Sequence, residues 1–168
     1  MNKLSKLAVC LAVTLSGNAI VSTSFAATAT TTIPITAIVI DSCVVVASPL
    51  TFGNYNGISG GMLDAAAAIT PICTSGTAYS IAIDAGLGSG ATMTSRILTG
   101  PDGATLNYGI FTDTNRLTVW GDGTGGTSWV VASGVGLAQP VTMYGRVPAG
   151  QAATVGAYSD TLTITVSY

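Results

Sequence analysis

The clearest pattern in the chain is a two-residue alternation at its C-terminal end. Tyr158, Leu162, Ile164, Val166 and Tyr168 share one face, while Ser159, Thr161, Thr163, Thr165 and Ser167 share the other. Successive side chains of a strand leave opposite faces, so this period predicts a half-buried β-strand over 158–168. The same alternation occurs at Tyr79, Ile81 and Ile83, at Leu106, Tyr108 and Ile110, and at Val141, Met143, Gly145 and Val147. Short apolar runs at 43–46, 50–52, 69–73, 96–98, 117–120 and 128–132 read as further strands. Gly, Asn, Asp and Pro separate them. At Pro101-Asp102-Gly103 the proline presets φ and the glycine takes a positive φ, which predicts a turn. Residues 65–68 are the only helix-friendly run, and Thr70-Pro71 stops it. Short strands with turn signals every 8–12 residues or so predict an all-β sandwich. No internal repeat points to a solenoid or propeller.

One alternating segment stands apart near the N-terminus. In residues 29–39 the odd positions Ala29, Thr31, Ile33, Ile35, Ala37 and Val39 share a face, and Thr32, Pro34 and Thr36 share the other. Pro34 cannot donate to a ladder. A strand paired on both sides would therefore start at Pro34, start after it, or lack one hydrogen bond.

Upstream of this segment lies an export signal. Lys3 and Lys6 form a basic start, residues 7–21 are mainly apolar, and Ser24-Phe25-Ala26 predicts cleavage after Ala26. Thr14, Ser16 and Asn18 interrupt the apolar run, which argues against a membrane anchor. Cys10 sits too early for a lipidation site, and Val9 is too large to precede one. The mature chain would then have 168 − 26 = 142 residues, enough for one domain.

Composition excludes several chemistries. The chain has no His and no Glu. No Ser-His-Asp or Cys-His nucleophile system and no His-ligated metal site can be built from it. Past residue 26 the charges are Arg96, Arg116 and Arg146 against seven Asp, a net of 3 − 7 = −4. Nucleic acid is not an expected partner of such a chain. No catalysis, metal or cofactor is expected. Cys43 and Cys73 are the two cysteines left in an exported chain, and they predict one disulfide. The loop it closes corresponds to roughly 3–4 kcal/mol.

Other candidate sites are weak. The glycines at 86, 88 and 90 lack the helix and lysine of a phosphate loop. Gly121-Asp122-Gly123 is one isolated fragment of a calcium repeat and reads as a turn. Asp113-Thr114-Asn115 lacks the glycine and the second copy of an aspartic protease. Asp84 and Arg96 could form an exposed pair worth about 0–1 kcal/mol. Trp120 and Trp129 suit packing better than a sugar platform.

A series of local patterns then falls in one order: Pro71-Ile72-Cys73, Tyr79-Ser80-Ile81-Ala82-Ile83-Asp84-Ala85-Gly86, Ser95-Arg96-Ile97-Leu98, Leu106-Asn107-Tyr108-Gly109-Ile110-Phe111-Thr112-Asp113, Tyr144-Gly145-Arg146-Val147-Pro148 and the terminal alternating strand. In this order, behind an export signal and an alternating segment, the chain resembles the spore coat protein U domain. That is the subunit family of archaic, Csu-type chaperone–usher pili. The resemblance implies an incomplete immunoglobulin-like β-sandwich whose last strand is supplied from outside. A periplasmic chaperone lends the strand first. At the outer-membrane usher, the N-terminal segment of the next identical or related subunit replaces it, giving a head-to-tail polymer.

On this resemblance, residues 1–26 are the signal peptide, 27–40 the donor segment and 41–168 the pilin domain. Ile33, Ile35, Ala37 and Val39 would be the donor side chains. Tyr158, Leu162, Ile164, Val166 and Tyr168 would line the acceptor groove, with the Tyr168 carboxylate offered to a basic chaperone cleft. The implied role is a structural pilus subunit, not an enzyme, carried through the periplasm to the cell surface and serving adhesion and biofilm formation. The alternative is a self-complete secreted sandwich, either binding carbohydrate through Trp120 and Trp129 or acting as a spore-coat or matrix protein.

Overall fold

The structure is a computed structural model that describes residues 27–168. The signal-peptide reading of 1–26 lies outside the described residues. The chain divides into two units, Met1–Ala37 and Ile38–Tyr168. In the first, residues 27–37 carry no helix and no strand, and all are exposed. The alternation at 29–39 therefore forms no strand within the chain. A strand is defined by its ladder, and alternation alone supplies only the face it would bury.

The second unit contains eight strands: β1 Cys43–Ala47, β2 Leu63–Cys73, β3 Ala78–Ile83, β4 Arg96–Thr99, β5 Thr105–Phe111, β6 Val130–Ser133, β7 Val141–Val147 and β8 Ile164–Ser167. They form a five-stranded sheet in the order β1-β2-β7-β5-β4 and a three-stranded sheet in the order β6-β3-β8. Every pairing between these strands is antiparallel. The fold is an all-β, immunoglobulin-like sandwich.

The core follows from the alternation. Ile69, Ile81, Ile83, Ile110 and Val147 are fully buried, joined by Tyr79, Tyr108, Met143 and Trp120. Each large aliphatic side chain contributes about 1.5–3 kcal/mol on burial. Cys43 and Cys73 face one another in register across β1 and β2 and are joined by a disulfide.

Four elements differ from the sequence pattern. The alanine run at 65–68 lies inside β2, paired with β7 from Leu63↔Val147 to Ile69↔Val141. Sheet pairing and the burial of Ala67 override a weak helix preference. Pro71 also lies inside β2, opposite Val45. Its carbonyl accepts from the Gln139 N–H at 3.0 Å, so its absent N–H faces residues 138–139, which continue the β7 register just ahead of Val141 through the isolated bridge Ile72↔Ala138. Residues 50–52 form no strand. A Cβ at Gly145 would lie 2.6 Å from Leu50 Cδ2 and 2.8 Å from Phe52 Cζ, so the glycine in β7 makes room for both. Residues 117–120 form only isolated bridges, Phe111↔Val119 and Trp120↔Ser128.

The terminal strand is shorter than its alternation. Ser159 exchanges two backbone hydrogen bonds with Thr99 of β4, at 2.9 and 3.0 Å. The chain then crosses to the other sheet, where β8 pairs with β3 from Ile83↔Ile164 to Ser80↔Ser167. At Pro101–Gly103 the expected turn is a single 3-10 turn with Gly103 at φ 77°.

Candidate functional site

Strand β8 is the outermost strand of its sheet, and among the described residues its second edge has no partner strand. The direction of its backbone groups follows from one bond. The Asp84 N–H donates to the Thr163 carbonyl at 3.1 Å, one step beyond the pair Ile83↔Ile164. Antiparallel pairs alternate between bonded and non-bonded. Asp84·Thr163, Ala82·Thr165 and Ser80·Ser167 therefore carry the bonds to β3. Ile164 and Val166 turn their N–H and C=O groups the other way, to the open edge. Their side chains are half-buried against the core. This edge offers unpaired backbone and apolar side chains together.

An open groove of about 1150 Å³ lies where the chain reaches this strand. Its apolar lining comes from Leu50, Phe52, Leu63, Leu98, Leu106, Val147 and Tyr158. Leu63↔Val147 and Leu98↔Leu106 are cross-strand partners, so the groove rests on the end of the five-stranded sheet. Of the predicted acceptor residues, Tyr158 lines this groove. Leu162, Ile164 and Val166 pack partly buried on the core, and Tyr168 is 62% exposed. The remaining lining residues escaped sequence reasoning. Apolar 50–52 was visible, but its position over β7 depends on Gly145, some 90 residues away.

The predicted donor side chains present the converse surface. Ile33, Ile35 and Val39 are 79%, 94% and 80% exposed, and Ala37 is exposed as well.

A polar network holds the crossing from β4 to β8. Arg96 is fully buried, and its guanidinium donates to four carbonyls. These are Asp84 (2.8 Å), Met93 (2.8 Å), Ile83 (3.2 Å) and Trp120 (2.8 Å). The expected exposed pair with the Asp84 carboxylate is thus replaced by a buried cation on backbone oxygens. Burial pushes the Arg96 pKa down, against the pull of Tyr108, Asp84 and Asp160. The Asp84 carboxylate instead accepts from the N–H groups of Gly86 (3.0 Å) and Thr163 (2.9 Å). Burial alone would raise its pKa, but these donors hold it below the ordinary value. The Tyr108 hydroxyl donates to Asp160 Oδ2 at 2.7 Å, while Asp160 Oδ1 accepts from the Leu87 and Thr161 N–H groups, each at 2.8 Å. Burial, reinforced by the Asp160 carboxylate, pushes the Tyr108 phenol well up.

The two tryptophans do not share a surface. Trp120 is fully buried, with its indole N–H donating to the Ile81 carbonyl at 2.9 Å, whereas Trp129 is 52% exposed. A paired sugar platform is therefore absent. Among the described residues no group of three or more His, Cys, Asp or Glu is placed to hold a metal ion.

Residues 29–165 match the family model of the Spore Coat Protein U domain. The chain belongs to that family. Protein U of Myxococcus xanthus is 41% identical over 63 residues, which cover 38% of this chain and 34% of that protein. A chain in the crystal structure of a chaperone–tip adhesion subunit pre-assembly complex, from archaic chaperone–usher Csu pili of Acinetobacter baumannii, superposes with a TM-score of 0.58. Identity there is 18%, over 77% of this chain and 40% of that one, so the likeness is one of fold. The spore coat U chain described here thus spans about a third and two fifths of the lengths of these two relatives.

Proposed function

We propose that this chain is a structural subunit of a chaperone–usher surface pilus and polymerises by donor-strand exchange. Residues 29–39 of one copy add to β8 of the next. The observation that carries the reading is the open edge of β8, where Ile164 and Val166 combine unpaired backbone groups with half-buried side chains. The exposed, alternating row Ile33, Ile35 and Val39 supports it from the donor side. Each of these side chains contributes about 1.5–3 kcal/mol on full burial. A contact between the N-terminal segment of one copy and the terminal strand of another is heterologous and does not close, so it propagates a filament.

Export through the periplasm, capping of β8 by a chaperone strand, and hand-over at an outer-membrane usher complete the proposal. The chain acts as a structural element, and its fibre serves adhesion and biofilm formation. Carbohydrate binding by a self-complete sandwich has lost its main support, because Trp120 is interior.

Deleting residues 27–39 tests the donor assignment. The truncated chain is expected to be exported and held by its chaperone without forming polymer. Long fibres from the truncated chain would contradict the assignment.

A further inference from the structure

We infer that Pro34 sets the phase in which residues 29–39 add to β8 of a second copy, a conclusion that rests on the donor-strand reading above. Three observations lead to it. The first is the direction of β8: Ile164 and Val166 point their backbone groups outward to the open edge and their side chains toward the core. The second is that every strand pair of the sandwich is antiparallel, and an added segment that keeps this direction carries the side chains of bonded partners on the same face. Donor residues that bond to Ile164 and Val166 are therefore the ones whose side chains enter the sandwich. The third is the donor alternation. Ile33, Ile35, Ala37 and Val39 form the apolar row, and Pro34 lies between two of its members.

In this phase the odd residues bond to β8. The even residues, Pro34 among them, turn their backbone groups to the opposite edge. The absent N–H of Pro34 then falls where β8 asks for no donor. A slip of one residue reverses every assignment. Thr32, Pro34 and Thr36 would enter the core, and the prolyl nitrogen would face β8 with nothing to donate. Proline thus resolves into a device that favours one phase over the other.

Two adjacent substitutions separate the phases. Thr36→Pro and Ala37→Pro both fall in residues 27–37, which contain no strand and are exposed, so neither alters the sandwich. Each is made in the full chain in cells that export and assemble it. Surface material is run unboiled on a denaturing gel, and the polymer ladder is quantified against the unsubstituted chain. Thr36→Pro places its missing N–H on the edge away from β8 and is expected to keep the ladder. Ala37→Pro places it against β8 and is expected to reduce polymer about tenfold or more, from one lost bond and one carbonyl left unpaired. Equal tolerance, equal loss, or the reverse order would overturn the phase assignment while leaving donor-strand assembly standing. The unsubstituted chain giving no ladder would overturn the donor-strand reading and this inference with it.

Discussion

The hydroxyl of Tyr108 donates to Asp160 Oδ2 at 2.7 Å, tying β5 to the segment that carries the chain from one sheet to the other. Asp160 follows Ser159, the last residue paired with β4, and precedes β8 by a few positions. The bond therefore helps set where β8 begins. Tyr108→Phe removes the only part of the side chain that reaches the carboxylate. It is expected to cost about 1.5–3 kcal/mol, the range for a hydrogen bond to a charged group. Chemical denaturation with an unchanged m-value checks it, and a loss below a few tenths of a kcal/mol would show that the bond does not hold the crossing.

Arg96 lies beneath the same crossing. A fully buried guanidinium with four carbonyl partners satisfies oxygens from β3, from the turn before β4 and from Trp120. Arg96→Met fills similar volume but leaves those oxygens without a donor. It is expected to destabilise the domain by about 3 kcal/mol or more. Arg96→Lys keeps a charge but not the planar fork, and it should fall between the two. The midpoint of denaturant unfolding orders the three proteins, and a Met variant as stable as the parent would contradict this account.

Acid sensitivity should arise on the outer face of the five-stranded sheet. Arg146 donates to both Asp64 oxygens, at 2.7 and 2.8 Å, and Arg116 lies 3.2 Å from Oδ1. The Arg146 hydrogen bond, with the charges of both arginines and against the opposing effect of burial, holds the Asp64 carboxyl below its ordinary 3.8. A depressed folded pKa stabilises fully above the unfolded value and is lost as pH falls through the folded one. Stability should therefore decline as pH drops below about 3.8, and Asp64→Asn should flatten that part of the decline. Thermal melts between pH 2 and 6, as a rough span around that value, read this directly. Identical slopes for parent and variant would remove Asp64 from the explanation.

What the sequence made legible was the local period. Tyr79, Ile81 and Ile83, Leu106, Tyr108 and Ile110, and Met143 and Val147 alternate in the sequence and are buried in the structure. The disulfide between Cys43 and Cys73 was legible from a count of two cysteines past the predicted export signal. Non-local placement was not. Leu50 and Phe52 line the groove because a glycine in β7 admits them, and no pattern near residue 50 reports that. Arg96 reads as a surface charge in sequence, because its four acceptors are backbone oxygens, which every residue carries. The alanine run at 65–68 looks helical alone and becomes a strand once β7 pairs beside it. Pro71 stops the helix-friendly run in sequence, and in the structure it lies inside β2 with its carbonyl accepting from the Gln139 N–H.

Exchange of a strand between copies is the central claim, and one gel tests it most directly. Surface material sheared from cells is run unboiled and boiled under denaturing conditions, for the parent chain and for Ile35→Asp. The parent is expected to give a ladder that collapses to the monomer on boiling. Ile35→Asp places a charge in the apolar donor row and should abolish the ladder while leaving an exported monomer. A single monomer band from the parent in both lanes, or an undiminished ladder from Ile35→Asp, would contradict assembly through residues 29–39.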